Sequence, residues 1–465
     1  MSRMPHHDER VEVAVVGGGP VGMALAAELA LAGREVTVVE TRTEVDERPR
    51  AGTVHARSLS HLARRGYIPS RRADEIASGA DRVVTTPFQF AAQPVLIISA
   101  PAVEPGPIAG IPQARLEAAF EQRARASGAT VLRGHTVADI RVDDDGAELD
   151  VAAVGSDETR VIRADWVVGA DGARGIVARH ADFGATTYPA TMNAIAGLAV
   201  VGDPAPPPGW FPTDRGWTLH NPNPFGAARV IALDFSGPLT ERGTPREPEF
   251  RARMASILGH DPGLSQISHL TRFSDFGRHR TRMRQGRLLV VGDAAHVHYP
   301  LGGQGLNTGM QDAFTLGWRL AQVIRGGLDA SVLDEWSRSR VAVAGAVVAN
   351  TVLQARMMNP SDTALRDAVL AMLALPHVHD AVAEMISGQF QSGFQTDLVV
   401  RTGSGETHTL GELLRAGRPV AIVPDDTVAP PADLPGCLVV AGKVVPEQPW
   451  VAAVIAPDGY LAAAM

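Results

Sequence analysis

The chain has 465 residues, 45% apolar and 20% charged, enough for about three units of ordinary domain size. Its formal net charge of −8 argues against nucleic acid as a partner, because a phosphate backbone demands a basic surface. The single cysteine, Cys437, excludes an intrachain disulfide and a thiolate metal cluster and has a structural role as its default.

The opening MSRMPHHDER is polar and lacks the apolar core of a signal peptide, so a cytoplasmic protein is expected. Residues 11–16, VEVAVV, read as a strand. Gly17, Gly19 and Gly22 follow in G-x-G-x-x-G spacing, then a helix, MALAAELALAG, closing at Gly33, then a second strand, EVTVVE, ending on Glu40. Strand, tight turn, helix, strand and acid, in that order, form the context a dinucleotide fingerprint requires. Gly17 permits the turn, Gly19 keeps a side chain away from a pyrophosphate, and Gly22 lets the helix pack closely. The helix amino end offers N–H groups and a favourable dipole to phosphate. Glu40 is placed to accept hydrogen bonds from a ribose.

The next stretch, RPRAGTVHARSLSHLARRG, carries Arg50 just before Ala51–Gly52. Arg50 is the arginine expected on the cofactor or at the flavin edge, with His55 and Arg57 as candidates for the same crevice. A solvated basic face is the alternative. Pro112 starts an amphipathic helix with Gln113 and Arg115 in its first turn. Residues 161–175, VIRADWVVGADGARG, read as a strand running into Asp171–Gly172. These two serve either as turn formers or as ligand contacts beyond the carboxyl end of a parallel strand.

Residues 182–275 change texture: TMNAIAGLAVV, GWTLHNPN and AARVIALDF read as strands of an antiparallel sheet. PAPPPGWFPTDRGW reads as a long loop with Trp210 and Trp217, whose aromatic surface either stacks on a planar substrate or belongs to the core. The strand RLLVVGD ends at Asp293 and leads into AAHVHYPLGGQGLN. Asp293 is placed to accept from a ribityl chain. Gly302, Gly303 and Gly305 let backbone lie flat against a planar ring. Asn307 is expected to cap the helix TGMQDAFTLGWRLAQVIRG, whose first N–H groups would face a carbonyl of an anionic reduced flavin. His296 and His298 lack a third ligand, and no metal is expected. VAVAGAVVANTVLQARMM, from Val341, carries Asn350, Gln354 and Arg356 and reads as a buried or subunit-facing helix rather than a membrane span. Residues 391–465 read as a small α/β unit of short strands and two helices.

The segments EVAVVGGGPVGMALAAEL, RAGTVHARS, VVGADGARG and GRLLVVGDAAHVHYPLGGQGLNTGMQDAFTLGWRLA together resemble the class A FAD-dependent aromatic hydroxylases of the para-hydroxybenzoate hydroxylase type. Among these the chain is most similar to the actinobacterial hydroxylases of angucycline and anthracycline polyketides. The resemblance implies a mixed α/β fold: a Rossmann-like FAD-binding domain from residues 1–181 and 276–390, an inserted antiparallel-sheet substrate domain at 182–275 with help from 83–110, and a thioredoxin-like domain at 391–465. It implies FAD as cofactor, with Gly17, Gly19, Gly22 and Glu40 on the ADP half and Arg50, Gln113, Asp171, Gly172 and Asp293 along the cofactor. Pro300, Gly302, Gly303, Gly305, Leu306 and Asn307 would surround the isoalloxazine. His55, Trp217 and His298 are the substrate-side candidates. One departure is Gly175, where the family often has Ser.

The implied activity consumes NADPH or NADH and molecular oxygen and hydroxylates a polycyclic aromatic polyketide through a flavin C4a-hydroperoxide. Baeyer–Villiger insertion, epoxidation, antibiotic inactivation and a non-catalytic binding module are the alternatives. No nucleic acid or membrane partner is expected, and a homodimer is.

Overall fold

The computed structural model describes residues 9–48, 50–79, 82–156, 158–224, 226–238 and 243–465; the polar opening, residues 1–8, lies outside them. Its central sheet contains five mutually parallel strands, in the order Thr130–Arg133, Val36–Glu40, Glu9–Val16, Thr159–Gly169 and Leu288–Val290. Helices cover such a sheet on both faces, so its strands are near-continuous apolar runs rather than alternating ones. Val13, Ala14, Val15, Val38, Val167 and Val168 are all buried. Their carboxyl ends lie along one edge, which gathers the segments after Val16, Glu40, Gly169 and Val290 at one crevice. His135–Asp143 and Gly146–Ala153 extend the sheet as an antiparallel meander on Thr159–Gly169.

Two helices join the remote halves of the sheet. Pro20–Leu31 packs against Gln304–Ile324 through two glycines of the longer helix. A Cβ on Gly309 would stand 2.6 Å from Val21 Cγ2, and one on Gly317 2.5 Å from Glu28 Cβ. Only hydrogen fits at either position, and the two backbones approach accordingly.

A second, five-stranded antiparallel sheet has the order Gly209–Thr213, Gly216–Asn221, Ala228–Asp234, Asn193–Val200, Ser265–Ser274. The three apolar runs read as strands are three of these. The long tryptophan loop is not seen: Gly209–Thr213 and Gly216–Asn221 fold it into a hairpin, because Gly216 (φ 154) makes a tight reversal possible right beside Trp217. Side chains alternate along the sheet. Ile195, Val230 and Ala232 face a helix, Glu247–Leu258, through Phe250, Met254 and Ile257. Ala194, Ala196, Trp217, Leu219, Ile231 and Leu233 face the other way, into one buried cluster with Tyr299 and Leu301. That second face also receives the hairpin of Val83–Phe90 and Gln93–Pro101, whose tip residues Ala91 and Ala92 hold positive φ.

The last unit is a six-stranded sheet with one short helix, Leu410–Leu414, where two helices were expected. A capping box closes that helix start: Thr409 Oγ1 accepts from Glu412 N and Glu412 Oε2 accepts from Thr409 N. The unit docks through buried charge. Arg65 donates to both oxygens of Glu28, to Leu414 O at 2.8 Å and to Pro457 O at 3.0 Å. Asp458 accepts from Trp318 Nε1 and Arg319. Val341 lies inside the helix Ser331–Met357, much of it buried, and among the described residues no single helix is long and apolar enough to cross a membrane.

Candidate active site

At the first strand end the glycines divide by role. A Cβ on Gly17 (φ 100) would reach 2.7 Å from Asp171 N, and one on Gly22 would overlap the Gly17 carbonyl oxygen. Both positions are filled by backbone, whereas a Cβ on Gly19 would have no protein atom within 4 Å. A turn packed tightly behind and open in front, at a helix amino end, is the shape a pyrophosphate requires. Glu40 ends the second strand with Oε2 accepting from Gly18 N at 2.6 Å and Oε1 accepting from Arg42 N at 2.8 Å. Each carboxylate oxygen keeps a further lone pair for a ribose hydroxyl.

Arg50 is exposed and ion-pairs with Asp46 at 3.0 Å, and its carbonyl accepts from Arg229. A hydrogen bond from Arg48, with the Arg50 and Arg42 charges, holds the Asp46 carboxyl well below the usual range. Gln113 opens its helix, Gln113–Ala126, and its N–H donates to Ala51 O, which brings that helix start to the Ala51–Gly52 loop. Arg57 does not join the crevice. It lies 3.4 Å over the Phe394 ring, turned to the C-terminal unit, and burial lowers it to about 10.

Asp171 and Asp293 stand at two neighbouring strand ends. Asp171 Oδ2 accepts from Val177 N at 3.0 Å, while its buried Oδ1 has no partner among the described residues. Gly172 follows at φ 80. Gly175 has a consequence here: a Cβ at 175 would overlap the Asp171 carboxylate as it stands, so this carboxylate occupies space that a serine would take. Burial raises Asp171 above the ordinary carboxyl range. It raises Asp293 as well, against the pull of His296, Arg50 and Arg278. Asp171 keeps a buried acceptor without a donor and Asp293 stands open at the neighbouring strand end, and the hydroxyls of a ribityl chain would supply donors to both. The residues present therefore fit FAD.

At the flavin end, Gly302 (φ 73) and Gly303 (φ 64) occupy the left-handed region that favours glycine. Pro300 lies just before them and is exposed. Asn307 is not the helix cap. The helix begins at Gln304 with Gly303 as its cap, so Gly305, Leu306 and Asn307 lie within its first turns. The left-handed glycine reverses the chain earlier than a side-chain cap would. Asn307 instead ties three segments together: its Oδ1 accepts from His55 N at 2.9 Å, and its Nδ2 donates to Thr53 O and Gly303 O. His55 is fully buried with Nε2 2.7 Å from Gly302 O. His298 Nδ1 is 2.9 Å from Tyr299 O. Trp217 is buried in the apolar face, its N–H donating to Met358 O at 2.6 Å.

Three side chains that shape the site, Asp312, Arg340 and Gln354, were missed. Asp312, inside the helix, accepts from His296 Nε2 and Arg340 Nε, both at 2.7 Å, and from Gly292 N at 3.0 Å. Burial opposes its charge, but Arg340 and His296 hold it below the ordinary range. The trio pins the turn that carries Asp293. The only sequence signal was an acid in the middle of an apolar helical run. Gln354, the third, accepts from Ala91 N at the hairpin tip. Among the described residues no three metal-ligating side chains cluster.

The sequence profile of the FAD binding domain family matches residues 10–351. The chain belongs to that family. This flavoprotein is 33% identical over 386 residues to an uncharacterized aromatic compound monooxygenase of Bacillus subtilis, covering 81% of this chain and 75% of the relative. It is 31% identical over 397 residues to the 12-dehydrotetracycline 5-monooxygenase/anhydrotetracycline 6-monooxygenase of Streptomyces rimosus, covering 81% and 76%. Among solved structures it is similar to the Diels-Alderase PyrE3 of pyrroindomycin biosynthesis, with a TM-score of 0.82 at 28% identity over 97% and 96% of the two chains. The flavoprotein is an oxidoreductase with FAD as its cofactor.

Proposed function

We propose that the flavoprotein is an NAD(P)H-consuming monooxygenase that hydroxylates a polycyclic aromatic, polyketide-like substrate. The observation that carries this is the apolar face of Ala194, Trp217, Leu219, Ile231 and Leu233, which shares one buried cluster with Tyr299 and Leu301, next to the glycine turn of the flavin end. A broad apolar wall beside a redox ring suits a flat, extended aromatic and keeps water out. FAD, when bound, supplies hydride acceptance from NAD(P)H and activation of oxygen.

The chain's own residues do the rest. Gly17, Gly19, Gly22 and Glu40 hold the ADP half. Asp171 with Gly172, Asp293, Gln113 and Arg50 lie along the cofactor. Pro300, Gly302, Gly303, Gly305, Leu306 and Asn307 support the ring, and the helix amino end at Gln304 favours negative charge there. Residues 1–181 and 276–390 serve as the FAD-binding domain and 182–275 as the substrate domain, assisted by the hairpin after Val83. Residues 391–465 form a thioredoxin-like unit. Its support is a parallel pair, Val420–Val423 with Leu438–Val445, extended by antiparallel strands.

The test is aerobic turnover with a tetracyclic phenol and labelled oxygen. The expected product gains one labelled oxygen atom while NADPH or NADH is consumed. A second reading is favoured by the fold shared with the Diels-Alderase: ring formation without net redox. An unlabelled product isomeric with its substrate, formed without NAD(P)H, would replace the first reading with the second.

A further inference from the structure

Two histidines beside the flavin-end turn, His55 buried and His298 half-buried, are each fixed in one tautomer by a backbone carbonyl. A carbonyl only accepts, so the ring nitrogen facing it carries the proton. His55 Nε2 faces Gly302 O at 2.7 Å, which leaves Nδ1 as a bare lone pair. His298 Nδ1 faces Tyr299 O at 2.9 Å, which leaves Nε2 bare. Both bare nitrogens are shut off from solvent and have no partner among the described residues. Burial without a carboxylate partner pushes both rings down to about 4, so both are neutral at physiological pH. A third free atom lies nearby. Gln354 Oε1 accepts from Ala91 N, which orients the amide and leaves Nε2 as a buried donor without a partner, 3.9 Å from where a Cβ on Gly302 would stand.

These three side chains gather around the glycine turn at residues 302–305, at the edge of the apolar face. His55 meets Phe88 edge-on at 5.3 Å, and Phe88 packs on that apolar cluster. Gln354 holds Ala91, a member of it, and His298 Nε2 lies 3.3 Å from where a Cβ on Gly305 would stand. Unpartnered polar atoms in such a setting cost stability unless a ligand satisfies them. Two acceptors and one donor require the complement: two donors and one acceptor.

We infer that His55 Nδ1 and His298 Nε2 receive hydroxyl protons of the substrate while Gln354 Nε2 donates to a carbonyl of the same molecule. The ligand class is an uncharged hydroxylated aromatic bearing a ring ketone or quinone oxygen. A carboxylate or phenolate would set negative oxygen against a lone pair and is rejected. This rests on the proposed aromatic substrate and names its recognition chemistry.

Two substitutions separate the structural donor from the free acceptor. His55→Gln keeps an N–H where Nε2 stands and loses Nδ1; His298→Asn keeps an N–H where Nδ1 stands and loses Nε2. The holoprotein is titrated at pH 6 with 2,6-dihydroxyanthraquinone, whose hydroxyls have no internal acceptor, and with its dimethyl ether, following the visible flavin spectrum, and FAD affinity is measured alongside. Wild type is expected to favour the free phenol by about 10-fold or more, and each variant to lose about 10-fold for the phenol, with ether and FAD affinities unchanged. Equal wild-type affinity for phenol and ether overturns the inference, and it does so even where a variant fails to fold. So does a variant that weakens FAD instead, which would assign the lone pairs to the flavin. If wild type ignores both anthraquinones but selects resorcinol over its dimethyl ether, the hydroxyl assignment stands and the polycyclic class of the proposed function falls.

Discussion

Gly19→Ala separates cofactor geometry from fold stability. Gly19 sits at φ −70 and ψ −179, which any L-residue adopts, and a Cβ there touches no protein atom within 4 Å. Restricting the unfolded chain stabilises the apoprotein by about 0.4–1 kcal/mol. Alanine is a poorer N-cap than glycine, which offsets a similar amount, so the apoprotein should change by less than about 1 kcal/mol. The methyl group points into the space left for a pyrophosphate. Crowding of this kind costs roughly 1–3 kcal/mol, or about 5- to 150-fold in FAD affinity. Gly22→Ala is the control with the opposite signature. Its Cβ would overlap the Gly17 carbonyl oxygen, so the turn must open whether or not cofactor is bound. The assays are a thermal unfolding midpoint of the apoprotein and a fluorescence titration with FAD. Gly19→Ala should keep the midpoint and lose affinity, and Gly22→Ala should lose both. A Gly19→Ala protein with wild-type FAD affinity would show that no phosphate approaches this residue and would refute the nucleotide placement.

Three further perturbations test other parts of the molecule. Asp293→Ala removes the acid at the ribityl position and should lower FAD affinity by roughly 10- to 100-fold, the loss of a charge-assisted hydrogen bond, measured by flavin content after dialysis; full retention would displace Asp293 from the site. Glu28→Gln leaves the buried Arg65 guanidinium without its counter-charge and should destabilise the fold by about 3–5 kcal/mol. Because Arg65 also donates to Leu414 O and Pro457 O, limited proteolysis should accelerate within residues 391–465, and an unchanged digestion pattern would remove Arg65 as the docking pin. Asp397 is raised from 3.8 to about 6 by burial and by the Glu104 charge. Its folded form binds the proton more tightly, so its contribution is complete below about pH 4 and is lost as pH rises through 6, on the order of 3 kcal/mol in all. Asp397→Asn keeps an oxygen for Leu398 N and Gly411 N and should flatten the fall in unfolding midpoint between pH 4 and 6 relative to wild type; parallel pH profiles would contradict this.

Much of the cofactor end was legible because its determinants are contiguous. Gly17 to Glu40 encode a turn, a helix and a paired strand within one short unit, and the parallel order then forces Asp171 and Asp293 to the same edge. The substrate side was less so. Ala91 and Ala92 form a left-handed hairpin tip without the Gly or Asn that signals one, and what holds them is Gln354, far along the chain. Asn307 looked like a cap because polar residues before a helical run usually are. The reversal was already made by Gly303, which freed the amide to bind the Thr53–His55 strand. Asp312 and Arg340 lie on different helices, and nothing local marks them as partners.

The same limit applies to the joint that makes one site of two distant segments. In Gln304–Ile324, Gly309 and Gly317 read locally as helix-weakening residues, about 1 kcal/mol each against alanine. Their use appears only when Pro20–Leu31 is laid alongside: Val21 fills the space at Gly309 and also lies 3.2 Å from a Cβ on Gly292, while Glu28, the partner of Arg65, fills the space at Gly317. One helix face thus sets the distance from the nucleotide turn to the Asp293 turn and, about two turns further along, anchors the C-terminal unit. A methyl group at either glycine would push the two cofactor segments apart before it touched any ligand. The helix pair, not either glycine motif alone, therefore determines whether a single extended dinucleotide can span both ends.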